Sequence, residues 1–203
     1  MSLEVTMSTL SPQTEAEMRA MFKSFNKFVL LLWRLGIGPL MGLYPDVTGQ
    51  FMVIVHTGRK TGKQRRTPVN YAEVDGEIYC TAGFGSGSHW YQNILADPNV
   101  EIWYGDQRWA AVAEDISDNP ERLRLLRDVL KGSGMVAPMV GVDPRSFTDD
   151  ELAQATATYR LLHMRRVEAR TGAGGPGDLV WVWPVLVTLM LPLALRGMCG
   201  KRK

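Results

Sequence analysis

Five basic side chains crowd one short loop: Arg59, Lys60, Lys63, Arg65 and Arg66, with no acid among them. The whole chain of 203 residues has 23 basic and 21 acidic side chains, so the excess is local. Two glycines, Gly58 and Gly62, let the backbone turn its N–H groups toward an anion. Arginine forks match phosphate and carboxylate geometry, and lysine adds a compact charge. This is an anion-binding composition. The same residues also suit a solvated hairpin tip that protects a sheet edge.

A second loop raises the interest of the first. Residues 83–88 read GFGSGS and are followed by HWYQN. The spacing is not that of a dinucleotide fingerprint, and no βαβ unit surrounds it. Ser86 or Ser88 is placed to cap a short helix running to about Ala96, whose first N–H groups would be free for an anion. Trp90 and Tyr91 would stand in its first turn, to stack on a planar ring or to fill the core.

Other chemistry is missing. His56, His89 and His163 have no metal-ligand spacing with another histidine, cysteine or carboxylate, so no metal site is expected. There is no G-x-S-x-G elbow, Walker loop or H-E-x-x-H helix. Binding loops without a nucleophile or an acid–base pair describe a protein whose cofactor carries the reaction, or a binding protein.

The elements that must position these loops follow from hydrophobic period and turn residues. Residues 15–35 form a helix between Pro12 and Gly36, with Met18, Met21, Phe22, Phe25, Phe28, Val29, Leu32 and Trp33 on one stripe. Such a helix covers a barrel or lies on a membrane surface. Residues 36–49 are a Gly- and Pro-rich connector. Strands are expected at 51–56, 65–74 and 77–82, the last two joined by Asp75-Gly76, a strong hairpin signal. A second hairpin is expected at 100–104 and 108–114. Residues 119–130 and 148–157 are helices, the first capped by Asp118 or Asn119 and the second also capped at its start, with Asp149, Asp150 and Glu151 in its first turn. A loop between them with Met135 and Met139 would be a plain loop or a flexible pocket wall. Residues 159–169 could continue the second helix or form a strand, with strand favoured for the latter part. Successive hairpins without βαβ crossovers predict an antiparallel sheet closing toward a barrel.

The combination T-G-R-K-T-G-K-x-R-R-T-P, then D-G, A-G-F-G and W-Y-x-N, resembles the deazaflavin (coenzyme F420)-dependent nitroreductase family across residues 57–113. The resemblance implies an α+β fold: a mainly antiparallel split β-barrel, FMN-binding-like, with flanking helices. It implies that Thr57, Gly58, Arg59, Lys60, Lys63 and Arg65 hold the phosphate and acidic tail of the cofactor, with Arg66 extending the charge. Thr67, Pro68 and Asn70 would follow the cofactor along the strand. Gly83, Phe84, Gly85 and Ser86, with Trp90, Tyr91 and Asn93, would bracket the deazaflavin ring. Hydride would then pass to an enone, quinone or nitro compound, with Tyr91, Tyr71 or Tyr159 as candidate proton donors. Many members carry S-K-G-G where this chain has Gly83-Phe84-Gly85-Ser86, so one lysine is missing. The resemblance also implies that residues 179–185 form the last barrel strand, and that the protein is a monomer or homodimer.

A second reading is a non-catalytic split barrel that binds a fatty acid or another apolar ligand; a third is the same barrel holding FMN or haem. Eleven methionines, the apolar helix and the apolar end support the second. Residues 179–195 hold 17 residues without a charge and are followed by Arg196, Lys201, Arg202 and Lys203. Two prolines interrupt this run, and it falls short of the ~20 residues a spanning helix needs. An anionic membrane surface is therefore a possible partner.

The net charge of +2 gives no nucleic-acid signature. Cys80 and Cys199 are far apart in sequence, and Cys80 lies in a strand-like run, which fits a reducing compartment. The expected organisation is a leader at 1–14, a cofactor-binding domain at 15–185 and a tail at 186–203. The expected location is the cytoplasm, with peripheral contact at the inner face of the membrane.

Overall fold

The computed structural model describes residues 12–199; the expected leader lies largely outside them, as do the last four residues. Six strands close an antiparallel barrel in the order β1-β2-β3-β6-β5-β4: β1 Phe51–Thr57, β2 Gln64–Val74, β3 Glu77–Ala82, β4 Asn99–Tyr104, β5 Gln107–Asp115 and β6 Arg160–Ala169. Pairing of β1 with β4 closes the ring, so both would-be edge strands find a partner.

Local sequence explains most joints. Asp75 and Gly76 both have positive φ, 55° and 80°, as a two-residue hairpin of this hand requires. Thr148 caps the helix Asp149–Ala155 (α6) through a reciprocal capping box with Glu151. Residues 160–169 are strand throughout, because the pairing with β3 and β5 supplies partners along the segment.

Alternation along the strands divides the core. Met52, Ile54, Ile78, Ile102, Leu162 and Met164 point inward and fill the barrel. On one outer wall, Ala72 and Leu161 pack against Leu125, Leu126 and Val129 of the helix Arg122–Lys131 (α4). On another, Phe51, Val53, Val55 and Trp103 are covered by Val29 and Trp33 of the helix Pro12–Arg34 (α1). Of the α1 stripe, Val29 and Trp33 are buried in this way, whereas Met21, Phe25 and Phe28 stay exposed.

Further details depart from expectation. Residues 179–185 are not a strand: they are turn, then the start of the helix Val182–Cys199 (α7). The barrel is already closed by β6, and Pro184, which has no N–H to give a ladder, sits comfortably in the first turn of a helix. The helix α4 begins at Arg122, beyond Pro120. Neither Asp118 nor Asn119 caps it; Asn119 instead accepts from the Glu121 N–H at 2.8 Å, a turn of its own. The connector 36–49 is not irregular throughout, holding a 3-10 turn at Gly38–Leu43 and the short helix Pro45–Thr48 (α2). The loop expected around Met135 and Met139 likewise holds the short helix Val136–Met139 (α5).

Candidate functional site

The hairpin between β1 and β2 forms a tight cationic tip. The Gly58 N–H donates to the Lys63 carbonyl at 2.9 Å, and Thr61 and Gly62 N–H groups both return to the Gly58 carbonyl. Gly62 has φ +65°, which the turn demands of a glycine.

Strand alternation then sorts the charges. Arg65 pairs with His56 and Arg66 with Val55, so the two arginines leave opposite faces. Arg66 lies over the buried Trp103 ring at 5.2 Å from its centroid, on the outer wall. Among the described residues, Lys60, Lys63 and Arg65 have no acidic partner within ion-pair distance. These three are exposed and available to an anion.

Arg59 is different. Its guanidinium donates to Asn93 Oδ1 at 2.9 Å and to the His89 carbonyl at 3.3 Å, while its backbone N–H donates to the same Asn93 oxygen at 3.2 Å. Asn93 belongs to the helix His89–Ala96 (α3), which crosses this end of the barrel. With Oδ1 taking two donors, the Asn93 amide nitrogen must be the group facing His56 Nδ1, at 3.3 Å. His56 Nδ1 therefore accepts, and Nε2–H donates to Thr67 Oγ1 at 3.1 Å. Burial holds the imidazole below its ordinary pKa, the Thr57 backbone opposes that, and the nearby Arg65 charge adds to it. His56 is thus a neutral link between β1, β2 and α3. Sequence reading gave His56 no metal-binding role but could not name its hydrogen-bond partners. Its inward register beside a polar asparagine was the missing signal, and that contact spans 37 positions.

The second loop is docked on the same helix. Gln92 Nε2 donates to the Ser86 carbonyl at 3.0 Å. Ser88 holds the N-cap position of α3, but its side chain makes no capping bond, contrary to the capping expectation for either serine. Gly85 has φ +57°, and a Cβ there would stand 2.3 Å from the Thr158 carbonyl oxygen. Phe84 meets Phe22 of α1 edge to face at 5.8 Å, so α1 also reaches this loop. Gly83 lies against the Tyr159 ring.

The remaining candidates scatter. Tyr91 is 4% exposed, and its hydroxyl is bonded to Asp115. Burial and that carboxylate push its pKa up to about 12. Trp90 is half-buried against the barrel core. Tyr71 faces the core against Tyr104, far along β2 from the cationic tip. Tyr159 is half-buried, beside the second loop but packed toward α4. Asn70 donates to the Gln50 carbonyl at 3.2 Å, and Pro68 is buried opposite Val53. Thr57 joins the hydrogen bonds that, with those from Asn99, hold the Asp97 carboxyl below its usual range.

The arrangement defines a closed antiparallel barrel with a fixed cationic tip at one end. Two loops and α3 meet there. Residues 42–134 match the F420H(2)-dependent quinone reductase family, which bears out the resemblance carried by the sequence motifs. F420H(2)-dependent quinone reductases of two Mycobacterium tuberculosis strains are 34% identical over 79 residues, 36% of this chain and 52% of theirs. The chain thus spans about half the length of the curated relatives it matches. Among solved structures, an F420H2-dependent reductase (FDR-A) is 21% identical, at TM-score 0.42 over 57% of this chain and 94% of its own. An F420 reductase is 15% identical, at TM-score 0.43 over 63% of this chain and 94% of its own.

Proposed function

We propose that this protein is a coenzyme F420-dependent oxidoreductase that reduces a quinone or a related electron-poor acceptor. One observation carries the reading: three cations without an acidic partner among the described residues, Lys60, Lys63 and Arg65, stand on a tip that Arg59 and Asn93 lock to α3. The match of residues 42–134 to a quinone reductase family supports both the cofactor and the acceptor class.

The donor set fits an anionic cofactor with a phosphate and an acidic tail. Lysine ammonium groups and an arginine fork would take those charges, and the locked tip would keep them from having to reorganise. The bound reduced deazaflavin supplies the hydride. The 83–87 loop, fixed by Gln92 and by its seat on Thr158, offers a preformed wall beside the tip. The protein's part is binding and orientation, since no acid–base pair is gathered there. Tyr159 is the candidate phenol nearest that wall, whereas the Tyr91 hydroxyl is engaged by Asp115.

A fatty acid inside the barrel is not favoured, because side chains fill the interior. The test is a fluorescence titration with oxidised F420, FMN and NADP in parallel, followed by oxidation of reduced F420 with a soluble quinone. Saturable binding of the deazaflavin and quinone-dependent turnover are expected. Binding of FMN in preference to F420 would overturn the assignment.

A further inference from the structure

The helix α7 is unlike the other helices. From Trp183 to Leu191 its apolar side chains are exposed on every side; consecutive Val185, Leu186 and Val187 are 48, 47 and 59% exposed. Three consecutive residues point about 100° apart on a helix, so no single face is being presented. The helix is held at its root alone among the contacts described. Gly177 and Leu179 N–H groups donate to the Trp33 and Arg34 carbonyls, and Trp183 Nε1 donates to the Leu35 carbonyl at 2.9 Å. Arg34 pairs with Asp178 at 3.0 Å.

A second apolar surface leaves the same corner. The 3-10 turn and α2, which follow α1 directly, expose Leu40, Leu43, Tyr44 and Val47 by 58–72%. Met135, itself 53% exposed, is tied to them by its N–H on the Val47 carbonyl.

We propose that α7 and this corner form a docking surface for an anionic lipid bilayer. Three observations select a bilayer over a protein partner. A partner helix or groove covers one stripe and would leave the other sides of α7 in water, whereas hydrocarbon surrounds a helix. Trp181 and Trp183 stand at the root, where a water–lipid boundary would fall. The uncharged run ends at Leu195 and is followed by Arg196, Lys201, Arg202 and Lys203, whose charges match anionic head groups. No helix among the described residues is long and apolar enough to cross a membrane. Residues 182–195 reach about 21 Å as helix against a hydrocarbon core of roughly 30 Å, so α7 does not span it; with both ends at the boundary it lies along the membrane, sunk below the head groups to where acyl chains cover every side. This inference is independent of the cofactor.

The test uses the full chain with vesicles of phosphatidylcholine mixed with phosphatidylglycerol. Co-sedimentation at low salt is expected, with a blue shift of tryptophan emission and quenching by brominated lipid. Triple substitution of Leu186→Gln, Leu189→Gln and Leu191→Gln should weaken partitioning by at least about tenfold. Circular dichroism and the melting curve would check that this variant keeps the barrel. Protein that stays in the supernatant would overturn the proposal. So would light scattering that shows a stable dimer, lost in the triple variant, with no vesicle binding by either form.

Discussion

The Arg59 guanidinium donates to Asn93 Oδ1 at 2.9 Å, joining the cationic hairpin to the helix that closes the barrel end. That one amide also receives the Arg59 backbone N–H and faces His56. Asn93 is buried, so its loss strands several polar groups at once. Asn93→Ala is therefore expected to cost about 2 kcal/mol of stability and to weaken F420 binding by freeing the tip. Urea unfolding and cofactor titration measure the two effects.

The five basic residues of the tip should not respond alike. Arg59→Ala is expected to lower stability by about 1 kcal/mol, since its guanidinium is committed to α3. Lys63→Ala should leave stability within about 0.5 kcal/mol, yet weaken F420 affinity in a way that fades at high salt. Equal stability losses for the two, or salt-independent affinity for Lys63→Ala, would contradict the division of labour.

Two glycines separate conformational strain from collision. Gly62 is at φ +65° with open space around it, so Gly62→Ala should cost about 1 kcal/mol. Gly85 combines φ +57° with a carbonyl oxygen 2.3 Å from any Cβ. Gly85→Ala should cost more than about 2 kcal/mol and displace the second loop, seen as a larger fall in urea midpoint.

The pH profile should show two windows. Burial holds the His56 pKa down, so the unfolded chain takes up a proton first, and stability falls as pH drops through about 6.5. His56→Gln should flatten this limb. Burial alone would raise the Glu101 carboxyl, but hydrogen bonds from Arg108 at 2.7 Å and Trp103 at 2.8 Å outweigh it and hold it low. That contribution is present above about pH 4.3 and is lost as pH falls through the lower folded value. Arg108→Gln should remove it. Thermal melts between neutral and acid pH read both.

Tyr91→Phe bears on the mechanism. The hydroxyl is engaged by Asp115, so its removal should lower the melting temperature while leaving kcat for reduced F420 oxidation nearly unchanged. A loss of kcat without a loss of stability would return Tyr91 to the chemistry.

Much of this protein was legible in its residues. The hairpin at Asp75-Gly76, the capping box at Thr148, the alternating strands and the paired loop motifs are local, because each rests on φ, capping or period-2 preferences within a few positions. What the tertiary structure decided was partnership. It sent Arg65 and Arg66 to opposite faces, turned Arg59 onto Asn93 and buried Tyr91 on Asp115. Residues 179–185 looked like a strand because their family position and apolar run fit one. The barrel is already closed through β6, so a further strand has no edge to pair with, and from Val182 the segment meets its backbone hydrogen bonds internally as helix. Composition announces that charges and aromatics are present; only packing across tens of residues assigns each one a neighbour.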